Sequence, residues 1–289
     1  MDNSGDLPNT RTSRHTRTST TSGEGDRPDR AARPDSAGVD RVLTEIRSFW
    51  DADAETYDNS RGHRPTSPAV MAAWSRALER LLPPSPARVI DVGAGTGFLS
   101  LIAARLGHKV TAVDLSTQML DKLQRSARRE GLEIDVVVSA ADGLEAAGSA
   151  ARGSFDAVME RHLLWTLPDP HKALEAWRRV VPDGRLLLVE SVWGRIDPIE
   201  MVRQRVMHAV QTWRKQPPDH HASYSDEIRK SLPLGAGTPP SKLVEMARAA
   251  GWRLPRLERL RDIEWSERLD LPLPERLVGV TPRFAILAT

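Results

Sequence analysis

Arg88-Val-Ile-Asp91-Val-Gly93-Ala-Gly95-Thr-Gly97-Phe98 decides the fold of this chain. Val89, Ile90 and Val92 make a short apolar run of the kind that forms a strand covered on both faces. Three alternate glycines then let the backbone turn sharply and approach a ligand closely. They sit at the positive end of the helix that Phe98 opens. Farther on, Val110-Thr-Ala-Val-Asp114-Leu-Ser closes a second strand with an acid 21 positions after Gly93. A carboxylate there can accept hydrogen bonds from both hydroxyls of an adenosine ribose. A glycine loop alone is a weak signal, because a tight ligand-free turn uses the same residues; loop, strand, helix and acid together point to a nucleoside site.

Outward from the loop, strands alternate with helices. The spacing predicts helices over Phe98–Leu106, Thr117–Arg129 and His171–Val181, and strands over Arg88–Val92, Lys109–Val113, Ile134–Ser139, Phe155–Glu160 and Arg185–Ser191. Such alternation gives parallel βαβ units with right-handed crossovers, an α/β doubly wound sheet with helices on both faces. Ahead of it, apolar residues at helical spacing predict helices over Val42–Tyr57 and from Pro68 to the Pro83-Pro84-Ser85-Pro86 breaker. After Trp193 the alternation lapses: a helix over Pro198–Arg214 and a polar stretch read as a helical insertion after the fifth strand, about residues 195–238. A helix over Pro240–Ala250 and late strands around Glu258–Trp265 and Arg283–Ala288 follow. Residues 1–38, rich in Ser, Thr, Arg, Asp, Gly and Pro, bury too little to offset their ordering entropy and are expected to be a disordered tail, leaving one domain over 39–289.

Bulk properties narrow the class. With 39% hydrophobic and 28% charged residues the composition is that of a globular protein. No apolar run approaches the roughly 20 residues that cross a bilayer, and the N-terminus has no secretory h-region, so a soluble cytoplasmic protein is expected. There is no cysteine, which removes disulfides, thiolate metal sites and a cysteine nucleophile. The net charge is only +2 and arginines are interleaved with carboxylates, so neither nucleic acid nor membrane is an expected partner.

A nicotinamide enzyme is the natural rival. Dinucleotide folds use G-x-G-x-x-G beneath a pyrophosphate, whereas this loop is G-x-G-x-G, with Phe98 at the would-be third glycine and Asp91 before the first. The segments DVGAGTGFLS, AVDLSTQML, AADG, FDAVMERHLLWTLPDP and VVPDGRLLLVES resemble the successive motifs of class I S-adenosylmethionine-dependent methyltransferases, nearest to the small-molecule and ubiquinone/menaquinone-type enzymes. The resemblance covers about residues 45–193. It implies a Rossmann-like seven-stranded sheet whose last strand is antiparallel, S-adenosyl-L-methionine as cofactor, and a small-molecule substrate.

Carried over by position, the resemblance puts Gly93, Ala94, Gly95 and Gly97 beneath the methionine moiety, with Asp91 near its amino group. Asp114 would hold the ribose, and Leu115 and Ala141 would line the adenine pocket. Asp142 would contact the adenine amino group or simply occupy a surface turn. Arg161 and His162 would face the sulfonium end, and Tyr57 resembles the aromatic that closes over the cofactor. A phenol, alcohol or ammonium acceptor must also lose a proton, and His162 is the first choice of base, ahead of His63, Glu160, His208, His220 and His221. Its other reading is a histidine that steadies the loop. Arg61, His63, Trp165 and Trp193 are substrate-side candidates, although a surface pair accounts for the first two and core packing for most of the eight tryptophans. No metal is expected, since adjacent His220 and His221 point apart.

The leading expectation is therefore O- or N-methylation of a small metabolite, with secondary metabolism as its expected setting. Quinone C-methylation and RNA methylation are alternatives; no N/D-P-P-Y run follows the fourth strand and no cysteine adduct is available. A cofactor-binding scaffold without turnover is the alternative of another class. A homodimer is left open.

Overall fold

The computed structural model describes residues 36–60, 62–144, 154–191, 198–213 and 224–289. Seven strands form one sheet: β1 (Arg88–Val92), β2 (Lys109–Asp114), β3 (Ile134–Val138), β4 (Ala157–Arg161), β5 (Arg185–Ser191), β6 (Arg256–Arg259) and β7 (Arg283–Ala288), in the order β3-β2-β1-β4-β5-β7-β6. The first five strands pair in parallel, and β7 runs antiparallel to both β5 and β6. Val89, Ile90 and Val92 are fully buried, as their apolar run requires of a central strand. Asp91 pairs in register with Ala112 on one side and Met159 on the other. The order reverses between β1 and β4, so the crossovers depart in opposite directions and leave a crevice at the strands' carboxyl ends.

Helices α1 (Ser36–Asp53) and α2 (Pro68–Leu81) precede the sheet, with α3 (Phe98–Arg105), α4 (Thr117–Glu130) and α5 (Pro170–Val180) as crossovers. After β5 come α6 (Pro198–Trp213), α7 (Asp226–Ser231) and α8 (Pro240–Ala249); α9 (Arg261–Asp270) and α10 (Leu273–Val278) lie between β6 and β7. One apolar layer packs Trp177, Leu174, Leu243 and Trp252 on Ile90, Val158 and Leu188; the opposite layer packs Trp74, Leu78, Phe98 and Ile263 on Val89, Met159 and Leu187. The indole N–H of Trp177 donates to Ala141 O at 2.8 Å and that of Trp252 to Leu174 O at 3.0 Å, so each large ring is buried with its polar atom satisfied. Among the described residues no helix is long and apolar enough to cross a membrane.

The late strand expected around Glu258–Trp265 is corrected. The strand is Arg256–Arg259, and α9 begins two residues later. Leu260 and Ile263 are buried at helical spacing, and Glu264 accepts from the Arg259 side chain and from the Arg283 backbone N–H. That carboxylate fixes the strand-to-helix corner without any Gly or Pro to mark it. The first helix also starts earlier and ends earlier than Val42–Tyr57, and Tyr57 begins a separate 3-10 turn, Tyr57–Asn59. The expected tail falls almost wholly outside the described residues.

Candidate functional site

The crevice at the carboxyl ends of β1, β2 and β4 is a cleft of about 730 Å³, its open mouth included. Its floor is the glycine loop. Gly93, Gly95 and Gly97 have φ of 68°, 56° and 90°, which an L side chain rarely adopts. A Cβ at Gly93 would stand 2.7 Å from Leu163 Cδ1, and one at Gly97 2.5 Å from Leu123 Cγ. Glycine is therefore needed twice over at those two positions: for the turn and for the approach of the next layer. Gly93 N and Ala94 N both donate to Val113 O, at 2.8 and 3.0 Å, which pins the loop to the end of β2.

Asp114 closes β2 beside that loop. Its Oδ2 accepts from Gly95 N and its Oδ1 from Ser116 N, each at 2.8 Å. Burial raises its pKa, and these backbone N–H groups work in the opposite direction. Each carboxylate oxygen keeps a further lone pair, so a carboxylate steered by two backbone donors can still accept from two more hydroxyls.

Asp91 does not reach the cleft wall. It is 2% exposed and accepts a 2.5 Å hydrogen bond from Ser100 Oγ on α3. Burial pushes its carboxyl up to about 7, against the pull of the Ser100 hydroxyl. Gly97 and Ala94 likewise lie beneath the lining, and Asp142 is turned outward, its Oδ2 2.7 Å from Lys172 Nζ. Tyr57, Gly93, Gly95, Asp114, Leu115, Ala141, Arg161 and His162 do line the cleft.

Among the described residues Arg161 is the one lysine or arginine in that wall. Its guanidinium lies 4.4 Å from the Phe98 ring centroid and 5.2 Å from that of Trp74, and it donates to the backbone carbonyls of Gly62 and His63. No carboxylate of the described residues forms an ion pair with it. Burial, with Arg283 nearby, lowers its pKa to about 10, leaving it charged at neutral pH.

His162 follows β4 with φ of 59°, a left-handed conformation uncommon outside glycine. Its Nδ1 is 3.1 Å from Glu190 Oε2 and its Nε2 3.5 Å from Arg283 Nη1. Since the guanidinium can only donate, Nε2 accepts there, and Nδ1–H donates to Glu190. Burial, then the charges of Arg161 and Arg283, hold the imidazole well below its ordinary pKa, although 26% of its side-chain surface remains accessible. Glu160 and Glu190, fully buried at the ends of β4 and β5, are both pushed upward by burial.

Over the cleft lies an aromatic cover. Leu43, Ile46 and Trp50 of α1 contribute to the lining, and Phe49, Trp50 and Tyr224 meet edge to face. The sequence showed α1 only as an amphipathic stripe; nothing in its spacing distinguishes a helix over a ligand from one over a core. His63 stacks on Tyr57 with centroids 3.9 Å apart and points Nδ1 at Tyr57 O. Trp165 packs against Tyr224 rather than lining the cleft. His208 lies exposed on α6. Arg61, Trp193, His220 and His221 fall outside the described residues. Among the described residues no cluster of His, Asp and Glu could hold a metal ion.

Residues 90–188 match the family described as methyltransferase domain. The chain is 32% identical over 151 residues to a ubiquinone biosynthesis O-methyltransferase of Xanthomonas axonopodis pv. citri, covering 52% of this chain and 59% of that protein. It is 29% identical over 235 residues to the enzyme of the same name from Xylella fastidiosa, covering 81% of this chain and 85% of the other. Its fold is similar to that of phosphoethanolamine N-methyltransferase 2 from Haemonchus contortus, solved with S-adenosyl-L-methionine, with a TM-score of 0.55, 18% identity, and 84% and 59% of the two chains covered. That last likeness concerns the fold alone. The family match spans the glycine loop and Asp114, and the relatives named here are methyltransferases. In the first of these alignments the chain spans 59% of its relative's length.

Proposed function

We propose that this chain binds S-adenosylmethionine in the cleft over the glycine loop and methylates an oxygen or nitrogen of a small molecule. The observation that carries the reading is the Asp114 carboxylate, held by Gly95 N and Ser116 N at 2.8 Å so that its remaining lone pairs are free for a ribose diol. Leu115 and Ala141 offer apolar walls for an adenine. Arg161, a cation without a carboxylate partner, suits the carboxylate of an amino-acid moiety. Tyr57 and α1 exclude water from above, and the Gly93–Gly97 turn leaves room for a chain to lie along it. When bound, the cofactor supplies a methyl group already activated on sulfur, so the chain's own work is positioning and dehydration, together worth on the order of 7–11 kcal/mol.

His162 is the candidate to take the acceptor's proton, at Nε2, a step in which the acceptor displaces Arg283 Nη1, 3.5 Å away, from that lone pair. The relatives' names, which specify O-methyl transfer, favour an oxygen acceptor. The test is calorimetry with S-adenosylhomocysteine, followed by a search for its release from S-adenosylmethionine across phenols, catechols and amines. Binding with turnover on an acceptor supports the proposal. Binding without turnover across the panel favours a scaffold, and failure to bind removes the nucleoside site altogether.

A further inference from the structure

We infer that the outer face of α4 carries a phosphoryl-binding site, separate from the cofactor cleft and independent of the methyl-transfer reading. A second surface cleft, about 750 Å³ with its mouth, is lined by Arg64, Lys122, Arg125, Arg128 and Arg129, with Asp58 its only acid among the described residues. It shares no lining residue with the cofactor cleft. On α4 the positions 122, 125 and 129 are spaced three and four apart, so they project from one face of the helix.

Ser126, 2% exposed, shows how crowded the positive charge is. Its Oγ accepts from Arg64 Nη1 at 3.1 Å and from Arg129 Nη2 at 3.0 Å, so two guanidinium groups converge on one neutral oxygen. Asp58 does not offset them fully: one of its oxygens takes the Thr96 hydroxyl at 2.5 Å and the other takes Arg64 at 3.1 Å. Lys122 is paired with Glu55. Arg125 and Arg128 have no acceptor within hydrogen-bonding or ion-pair distance among the described residues. Cations in the last turn of a helix offset its dipole, and that accounts for Arg128 and Arg129. It does not account for Arg64, which reaches the same oxygen from 62 residues earlier in the chain. Like charges are gathered there at a cost that a bound anion would remove. A phosphoryl group fits best, because its several oxygens can take both guanidinium forks and a third donor at once.

The probe is pyrophosphate, titrated calorimetrically at fixed ionic strength into the full chain and into Arg125→Glu/Arg129→Glu. Both side chains are exposed, and S-adenosylhomocysteine affinity should be the same in the two proteins, which serves as the check on folding. Saturable binding that the double variant weakens by roughly tenfold or more supports the site. A single-stranded RNA of roughly 12 nucleotides forms the second arm. If the RNA competes with pyrophosphate and is weakened by the same variant, the phosphoryl group comes from a polymer backbone; if pyrophosphate alone binds, it comes from a small ester. The inference fails if neither binds saturably, if the variant binds both unchanged, or if sulfate at the same ionic strength displaces pyrophosphate as effectively as pyrophosphate itself.

Discussion

Glu190 and His162 face each other from the ends of neighbouring strands, Oε2 of one 3.1 Å from Nδ1 of the other, and the far side of the ring meets Arg283 of β7. One imidazole thereby links β4, β5 and β7 at the edge of the cleft. A residue placed that way is a strut as well as a candidate base, and the two roles separate on substitution. Removing the ring in His162→Ala leaves the buried Glu190 without its donor and should cost about 1–3 kcal/mol in urea unfolding. His162→Asn, which keeps an N–H near Nδ1, should recover most of that stability. If Nε2 takes the acceptor's proton, both variants should lose about a hundredfold or more in kcat. Equal turnover in His162→Asn and the parent would leave only the strut.

Asp114→Ala should weaken S-adenosylhomocysteine binding by about ten- to a hundredfold, through loss of charge-assisted hydrogen bonds. Calorimetry on the folded variant checks it. An unchanged affinity would take the ribose away from this carboxylate.

The glycine loop permits a paired comparison. Gly97→Ala places a Cβ 2.5 Å from Leu123 Cγ at a φ of 90°, and should lower unfolding free energy by about 1–3 kcal/mol. Gly131→Ala, at a φ of 66° with nothing within 4 Å, meets only the backbone penalty of about 1 kcal/mol. Thermal unfolding of the two variants side by side tests whether the tight fit over Leu123 adds to the turn.

Asp91 gives a pH dependence of defined sign. Its carboxyl is raised from the ordinary 3.8 to about 7 by burial, so the folded chain holds a proton that the unfolded chain has released. Stability from this group is full below its unfolded pKa and is lost as pH climbs through its folded one. His162, Glu160 and Glu190 add slopes of their own, so the reading is the parent-minus-variant difference: urea unfolding between about pH 5 and about pH 8 should show a component, removed by Asp91→Asn, that falls as pH rises. A difference of the opposite sign, or none, would contradict the buried neutral carboxyl.

The parts of the fold that repeat were readable in the chain. Val89 to Gly97, Asp114 and the alternation through Ser191 each carry a local pattern, apolar strand then breaker then helical stripe, and the sheet follows those boundaries closely. The corner at Leu260 was not readable, because no Gly or Pro marks it and Arg283, whose backbone N–H ties down Glu264, lies 19 residues further on. Side-chain direction escaped too. Asp142 and Asp114 both end strand-following segments in the sequence, yet Lys172 draws the first outward while two backbone N–H groups turn the second inward. The contributions of Trp50, Glu190 and Arg283 depend on elements brought together over long stretches of chain, which no local spacing records.

The placement of β7 bears on how the molecule is made. Among the described residues that strand is the only neighbour of β6 in the sheet and the outer neighbour of β5, yet it comes last of the seven in chain order. Until it leaves the ribosome, the nascent β5 presents an open ladder of N–H and C=O groups, and the segment of β6 has nothing to zip onto. A chain stalled before Arg283 would hold the segment of β5 with a raw edge, the kind of species that chaperones retain and that sticks to its own copies.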